Sequence, residues 1–412
     1  MKFWPTAVAA CRRRYGDIFT LRVASMGTIV YLADPADIKT VFAGDPAVYH
    51  AGEANSVLRG ILGDTSVLVV DDDVHRDRRR LMMAPFHRDP VAMLSPVMAE
   101  IAAANIAGWP VGREFPVAPR MSALTLEVIL RTVIGASDPA RLAALRAALP
   151  KVLNIGPWGM LAVARPELQQ RFGWRFLRRR LDAADALLYA EIADRRADPD
   201  LAERTDVLAM LVRAADEDGR RMDDRELRDQ LMTLLAAGHD TTATALSWAL
   251  ERLTRYPEVL AKAVRAALDD DEAYLDAVAK EALRIRPVIF DVGRKLTAPI
   301  ELHGYQLPAG VMVVPGIGLV HADPAVYDRP EVFDPDRMIG ATLTPTTWLP
   351  FGGGNRRCLG AGFAQTEMRV VLREVLRRVE LCTTTEPDER QRVRGVVLEP
   401  RRGARIRLRG FR

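Results

Sequence analysis

The stretch Phe351-Gly-Gly-Gly-Asn-Arg-Arg-Cys-Leu-Gly360 places a single cysteine, Cys358, among glycines and arginines. Glycines let a backbone turn tightly beneath a flat ligand, arginines supply cationic donors, and a thiol can become the thiolate that iron binds. A helix is predicted directly after this stretch, and its N-terminal amides would stabilise a negative sulfur. The plain alternative is a glycine-rich turn around a buried structural cysteine. The rest of the chain has to decide between these interpretations.

The amino-acid composition limits the classes of protein to which this chain can belong. The 412 residues are 49% hydrophobic, which is enough for a large core, and the three cysteines (Cys11, Cys358 and Cys382) form no CxxC motif and no disulfide framework. The net charge of +4 comes from 58 basic and 54 acidic residues that are interleaved, so nucleic-acid binding is not expected. No apolar run reaches the ~18 residues that span a bilayer, and no signal peptide is evident. We expect a cytoplasmic monomer without a transmembrane anchor.

The pattern of apolar residues predicts a mainly α fold with small β-sheets. Residues 15–45 alternate like a strand pair that precedes a short helix, and residues 95–218 read as successive amphipathic helices. Within that helical region, Val152 to Trp174 is apolar but interrupted by glycine and proline, which is compatible with a mobile lid or with a packed helix hairpin. The tail, Gly395 to Leu408, is predicted to be a closing strand pair.

A helix from about Asp223 to Arg255 is predicted to cross the interior, because it is long and apolar. Its middle reads Ala237-Gly-His-Asp-Thr-Thr242, and glycine with paired threonines is poor helix chemistry. Local violations of this kind are expected at functional sites. We assign His239 no ligand role, because a histidine packed on the far face of the helix is about five times more common than a ligand.

Together, these motifs resemble those of the cytochrome P-450 superfamily, the haem-thiolate monooxygenases, in its soluble bacterial type. The cysteine stretch fits F-x-x-G-x-R-x-C-x-G, and Ala237 to Thr241 fits [AG]-G-x-[DE]-T. Two further family motifs occur in the family's order, His75-x-x-x-Arg79 and Glu281-x-x-Arg284. One departure is Ala322, which stands where an arginine is common.

The resemblance implies one domain over residues 1–412, with the haem between the long central helix and the cysteine loop. The implied cofactor is haem b (iron protoporphyrin IX), with Cys358 as the iron ligand. His75, Arg79 and Arg294 would bind its propionates, although an exposed charged helix is the alternative for the first two. The remaining implied haem contacts are Phe351, Gly352, Arg356, Gly360 and Ala237. Glu281, Arg284 and Arg337 are implied to be scaffold.

The implied reaction inserts one oxygen atom from O2 into a lipophilic organic substrate. In the family's pattern, Thr241 hydrogen-bonds dioxygen and Asp240 helps to deliver protons. Predicted substrate contacts are Leu234, Val288, Ile289 and Val292, and Asp291 is expected to enter the pocket with Val292. A peroxide-dependent haem peroxygenase and a haem-thiolate ligand-binding or sensor protein are the alternatives.

Electrons are expected from a separate ferredoxin and its ferredoxin reductase, because the haem domain fills the chain. An acidic ferredoxin is predicted to dock on a basic face formed by arginines of two helices. The alternative is that these arginines are solvated or paired within their own helices. The six residues are Arg76, Arg78, Arg80, Arg369, Arg373 and Arg377.

Overall fold

The computed structural model of this chain describes residues 4–23, 27–136, 138–153 and 172–412. The predicted lid, Val152 to Trp174, lies almost entirely outside the described residues. Two compact units are present. The first comprises Met1–His50, Met98–Leu124 and Thr241–Arg412, and the second comprises Ala51–Val97 and Thr125–Asp240.

Helices dominate the described residues. They are α1 Trp4–Tyr15, α2 Pro35–Ala43, α3 Ala51–Ala54, α4 Arg59–Leu62, α5 Asp72–Met83, α6 Arg88–Met93, α7 Ser95–Ile106, α8 Ala118–Ile129, α9 Pro139–Leu153, α10 Phe172–Ala197, α11 Val207–Arg213, α12 Asp224–Arg255, α13 Pro257–Leu268, α14 Glu272–Ile285, α15 Ile317–His321 and α16 Ala361–Arg378. A π-helical turn, Leu130–Ile134, follows α8.

The strands are short. They are β1 Ile18–Val23, β2 Gly27–Leu32, β3 Tyr49–His50, β4 Glu114–Pro116, β5 Arg294–Leu296, β6 Ile300–Leu302, β7 Tyr305–Leu307, β8 Met312–Pro315, β9 Val379–Leu381, β10 Gln391–Arg394, β11 Val397–Pro400 and β12 Arg405–Phe411.

All of these strands belong to the first unit, where a five-stranded sheet has the order β1-β2-β8-β5-β3. The predicted strand pair is confirmed as the antiparallel β1–β2 ladder, and β8 joins β2 in parallel. A hydrophobic cluster that includes Val30, Leu32, Val313 and Ile317 packs this sheet against its neighbours. Burial of these branched side chains contributes roughly 1.5–3 kcal/mol each.

The predicted pairing of the tail is wrong. β11 pairs with β10 across a tight turn at Gly395, whereas β12 pairs with β4 and β9. The turn needs a positive φ, and Gly395 supplies φ 59°. β11 therefore forms a local hairpin with β10, whereas β12 pairs with strands that are distant in sequence.

In the second unit, the first half of α12 holds the loop that follows α4. The Asp229 carboxylate accepts hydrogen bonds from the Thr65 backbone N–H at 3.0 Å and from the Thr65 hydroxyl at 2.8 Å. Gln230 accepts from the Val67 N–H at 2.9 Å and donates to the Thr65 carbonyl at 2.7 Å. These bonds satisfy the backbone of an irregular segment, so α12 serves as the support of this loop.

The predicted long helix is confirmed as α12, which has 32 residues and no interruption at the Gly238–Thr242 stretch. Gly238 has a packing role as well, because a Cβ there would lie 3.0 Å from Cδ1 of Ile129 on α8. The unfavourable helix residues are therefore accommodated within one continuous helix.

Candidate functional site

The loop from Phe351 to Gly360 presents the Cys358 thiol directly ahead of α16. The Cys358 backbone N–H donates to the Phe351 carbonyl at 2.8 Å, which closes the loop. A 3-10 turn, Gly354–Arg356, lies inside it, and Cys358 is exposed. Because α16 has 18 residues and begins at Ala361, its N-terminal amides favour negative charge on this sulfur. The alternative of a buried structural cysteine is not what the structure shows.

Glycines are required in this loop for two different reasons. Gly354 has φ 65°, and a Cβ there would lie 2.1 Å from the Phe42 carbonyl oxygen. At Gly353, a Cβ would lie 2.2 Å from the Phe42 ring, so the loop rests closely on α2. At Gly352 and Gly360, by contrast, a Cβ would meet none of the described atoms within 4 Å. The loop is thus packed on one side and leaves open space beside Gly352 and Gly360.

An accessible stripe runs along the middle of α12. Leu234, Gly238 and Thr241 are half-buried and Ala237 is exposed, although most of their neighbours in the helix are buried. Positions 234, 237, 238 and 241 share one helix face, since they are spaced by three and four residues. Asp240 follows on the adjoining face with 19% of its side chain exposed. Because Ala237 and Gly238 are small, they leave space beside the Asp240 carboxyl group and the Thr241 hydroxyl.

His239 is buried, as expected for a core histidine. Its Nδ1 lies 3.0 Å from the Thr125 hydroxyl, and the same hydroxyl donates to the His239 carbonyl at 3.1 Å. Nε2 lies 3.8 Å from a carboxylate oxygen of Asp240. The sequence did not reveal this contact between His239 and the acid of the motif.

The predicted propionate ligands lie on separate elements. His75 and Arg79 are one turn apart on α5, in the second unit, where His75 is buried and Arg79 is half-buried. Arg294 is buried on β5 in the first unit, where its Nη1 donates to the Gly293 carbonyl at 2.9 Å and its guanidinium lies 5.7 Å from the centre of the Phe42 ring. Arg356, which was predicted only as a haem contact, is half-buried within the cysteine loop. Each is a cationic donor, or can become one, of the kind that binds a carboxylate.

Of the predicted substrate contacts in the first unit, Val288 is buried, while Ile289 and Val292 are half-buried and pack against the sheet's hydrophobic cluster. The expectation that Asp291 enters the pocket is not borne out. Its carboxylate accepts hydrogen bonds from Tyr31 and Trp4 instead. Nothing in the local sequence pointed to this contact, because its partners lie more than 250 residues away.

The predicted scaffold around Glu281 is confirmed. Arg284 makes two hydrogen bonds of 2.7 Å to Glu281, and both side chains are fully buried. Arg337 lies 3.3 Å from the same carboxylate. Arg284 also donates to the carbonyl oxygens of His321 and Pro330. A buried ion pair needs such extra hydrogen bonds, because the loss of hydration otherwise outweighs the attraction.

A further support of the cysteine loop was missed in the sequence. The Leu349 backbone N–H donates to Nε2 of His321 at 3.0 Å, two residues before the loop begins. Burial, and then the nearby Arg284 charge, lower the pKa of His321 to about 3, so the ring stays neutral and can accept this bond. His321 therefore connects the Glu281–Arg284 scaffold to the start of the cysteine loop.

The arginines predicted to form a docking face are all ion-paired. Arg78 is buried against Glu226, so it is unavailable to a partner, and this part of the prediction is corrected. Arg76 pairs with Asp73 at 2.9 Å and Arg80 with Glu217 at 2.6 Å. On α16, Arg369 and Arg373 lie 3.4 and 3.5 Å from Glu272, and Arg377 lies 2.6 Å from Asp270.

The residues present fit a haem. A thiol is accessible at the N-terminus of a helix, open space lies beside two glycines of its loop, and the same unit contains Arg294 and Arg356 as cationic donors of the right chemistry. Thiolate is an established haem-iron ligand, and guanidinium groups match carboxylates geometrically. None of the helices that the structure describes combines the length and apolar character needed to cross a membrane.

Comparisons with known proteins agree with this fit. The cytochrome P450 family pattern matches residues 5–405. The chain is 70% identical over 411 residues to cytochrome P450 135B1 of Mycobacterium tuberculosis, covering 98% of this chain and 87% of that protein. It is 41% identical to cytochrome P450 135A1 of the same organism, covering 99% and 91%.

Solved structures show the same fold. A retinoic acid-bound cyanobacterial CYP120A1 superposes with a TM-score of 0.85 at 24% identity, covering 97% of this chain and 93% of that one. The haem domain of cytochrome P450DA gives the same TM-score and identity over 100% and 94%. The predicted fold, mainly helical with small sheets, is confirmed. On the family match and the similarity of its relatives, the chain belongs to the cytochrome P450 family.

Proposed function

We propose that this P450 is a haem-thiolate monooxygenase that inserts one oxygen atom from O2 into a lipophilic organic substrate. The observation that carries the proposal is the accessible Cys358 thiol at the N-terminus of α16. The accessible stripe of α12, which ends in the Asp240–Thr241 pair, supports it. Membership of a monooxygenase family indicates the type of reaction, whereas the substrate class and the electron donor are our own proposals.

Haem b would be held by residues of the cysteine loop, α12, α5 and β5. Cys358 would ligate the iron, and Phe351, Gly352, Arg356, Gly360 and Ala237 would contact the haem. His75, Arg79 and Arg294 would bind the propionates. When bound, the haem supplies the oxidising chemistry, and the protein contributes orientation, proton delivery and exclusion of water.

Asp240 and Thr241 have complementary tasks in this proposal. The Thr241 hydroxyl can donate one hydrogen bond and accept others, so it can hold a proton at the accessible face of α12. The Asp240 carboxylate is partly exposed and can exchange protons with water. His239, which lies 3.8 Å from Asp240 and is fixed by Thr125, restricts the orientation of this carboxylate. In this proposal Asp240 takes up protons from water, and the Thr241 hydroxyl determines where they are delivered.

Apolar residues favour a lipophilic substrate. Leu234 lies on the accessible stripe of α12, and Val288, Ile289 and Val292 form an apolar segment after α14. Ligand sites are typically apolar with few polar groups, which fix orientation. We therefore propose that the substrate is a lipophilic molecule. The segment that contains Ile289 and Val292 would determine which lipophilic molecules bind.

Electrons would come from a separate ferredoxin and its reductase, with the ferredoxin acidic. The ion pairs of Arg369, Arg373 and Arg377 leave these side chains 21–32% exposed, so each can contribute only part of its charge to docking. We expect Arg369→Glu to slow reduction by the ferredoxin less than tenfold, and we expect the rate to fall as salt exceeds about 0.15 M. A rate indifferent to both changes would remove this face from the proposal.

The proposed function is tested by spectra and turnover together. The reduced, CO-bound protein should show the strongly red-shifted Soret band of thiolate-ligated haem, and Cys358→His should lose it. Turnover should require the ferredoxin system, and Thr241→Ala should bind haem normally while diverting electrons to peroxide.

Other outcomes would point elsewhere. Equal turnover on hydrogen peroxide alone would support a peroxygenase, and ligand binding without any turnover would support a sensor. If Cys358→His kept the red-shifted band, the ligand assignment would be wrong.

A further inference from the structure

One acidic side chain, Asp291, interrupts the apolar segment between α14 and β5. Its Oδ2 accepts a hydrogen bond from the Tyr31 hydroxyl at 2.5 Å and another from Nε1 of Trp4 at 3.3 Å. Nε1 of Trp4 also lies 3.0 Å from the Tyr31 hydroxyl oxygen. These three side chains are called the Asp291 clasp. They join the segment to α1 and β2, the first helix and the second strand of the unit.

The Tyr31 end of the clasp is rigid. Tyr31 is buried in β2, which is hydrogen-bonded to β1 on one side and to β8 on the other in the five-stranded sheet. Its hydroxyl can therefore move little relative to the sheet. Burial raises the pKa of Asp291, and the Tyr31 and Trp4 hydrogen bonds oppose that rise. Breaking the clasp would leave polar groups in this region without partners, which is costly.

Backbone hydrogen bonds fix the residues on either side of Asp291. The Phe290 carbonyl accepts from the Gly318 N–H at 2.9 Å, and the Val292 N–H donates to the Pro315 carbonyl at 3.2 Å. The Phe290 ring covers Gly318 so closely that a Cβ there would lie 2.2 Å from it. Together with these two bonds, the clasp fixes three consecutive residues, so it limits how far the adjacent Ile289 and Val292 can move.

We propose that the Asp291 clasp determines substrate selectivity by positioning Ile289 and Val292. The inference rests on the proposed function, which places these two side chains against a lipophilic substrate. Asp291 is a positioning residue, because it acts through its neighbours while its own carboxylate is held by Tyr31 and Trp4. If the clasp were lost, the segment could shift. A ligand long enough to touch the segment would then lose contacts, whereas a ligand that reaches only the iron would not.

The test compares two probes that ligate the haem iron through the same nitrogen. Imidazole is too small to reach the segment, and 1-octylimidazole extends an alkyl chain towards the pocket wall. Their Kd values are measured by Soret difference spectra for the wild type, Asp291→Ala, Asp291→Asn and Tyr31→Phe. The ratio of the two Kd values cancels changes at the iron. A matched control, Phe19→Leu, removes the stacking on Tyr31 and keeps the clasp.

We expect Asp291→Ala and Tyr31→Phe to weaken 1-octylimidazole at least fivefold while the imidazole Kd changes less than twofold. Asp291→Asn keeps an acceptor oxygen and should restore most of the ratio, and Phe19→Leu should leave it unchanged. Tyr31→Phe retains the buried ring, so its ratio of Kd values tests the proposal even if Asp291→Ala does not fold.

A ratio within twofold of the wild type in Tyr31→Phe would overturn the inference, as would an equal change in Phe19→Leu. The CO spectrum separates this failure from that of the proposed function. Variants that keep the red-shifted band but show an unchanged ratio refute only the clasp. A wild-type protein without that band would refute the proposed function, and the clasp inference with it.

Discussion

Replacing Glu367 with glutamine should stabilise the protein, and increasingly so as the pH rises. Glu367 lies on α16, is fully buried, and neither carboxyl oxygen has a hydrogen-bond partner among the residues that the structure describes. Its helix face is shared with Phe363 and Val371, both buried. Burial raises the pKa of Glu367 from 4.5 to about 8, so the folded protein keeps this carboxyl protonated near neutral pH.

The expected magnitude follows from the two pKa values. Below pH 4.5 the carboxyl is protonated in both states, so its ionisation does not affect the free energy of unfolding. Above that pH the unfolded chain ionises first, which lowers the free energy of unfolding by about 1.4 kcal/mol per pH unit. The loss grows until the pH reaches the folded pKa of about 8. At pH 7, which lies 2.5 units above 4.5, it amounts to about 3.5 kcal/mol.

The assay is urea unfolding at pH 5 and pH 7, followed by far-UV circular dichroism at matched haem occupancy. Glu367→Gln should exceed the wild type in free energy of unfolding by about 3 kcal/mol more at pH 7 than at pH 5. Glu331→Gln, which removes an exposed carboxylate, serves as the control and should show no such difference. A gain for Glu367→Gln that is the same at both pH values would refute the reasoning.

Two further predictions concern the supports of the cysteine loop. Gly354→Ala should abolish most haem incorporation, measured as the ratio of Soret to 280 nm absorbance, because its Cβ would lie 2.1 Å from the Phe42 carbonyl oxygen; Gly362→Ala, which meets none of the described atoms within 4 Å, should retain it. Arg284→Met should lower the free energy of unfolding by about 3–5 kcal/mol, since it leaves the Glu281 charge buried. Lys280→Met breaks only the partly exposed pair with Asp276 and should cost less than about 1 kcal/mol, so equal losses would contradict the assigned burial.

Features set by local sequence could be predicted well. The extent of α12 follows from its unbroken apolar periodicity, and the β1–β2 ladder follows from alternation around a glycine turn. Spacing placed Glu281 and Arg284 on one helix face, because residues three apart are neighbours there, but it was the family resemblance that implied the burial of this pair.

Features that depend on distant residues could not be predicted. Arg369 and Arg377 look like a solvated basic face in the sequence, yet their partners, Glu272 and Asp270, precede them by about a hundred residues. Glu367 stands in a polar run, Gln365-Thr366-Glu367, which gives no sign that its carboxyl is buried. Likewise, β12 pairs with β4, almost three hundred residues earlier.

The accessible stripe of α12 is produced by short side chains along a continuous helix, and this makes its size adjustable. At Ala237, a larger side chain would extend into accessible space and leave the helix hydrogen bonds intact. At Gly238, even one methyl group would press on Ile129, so enlargement there must also shift the packing of α8. Two adjacent positions thus differ in what enlargement would disturb: at position 237 a larger side chain would occupy the accessible space that the proposed haem site uses, whereas at position 238 it would disturb the packing of the core.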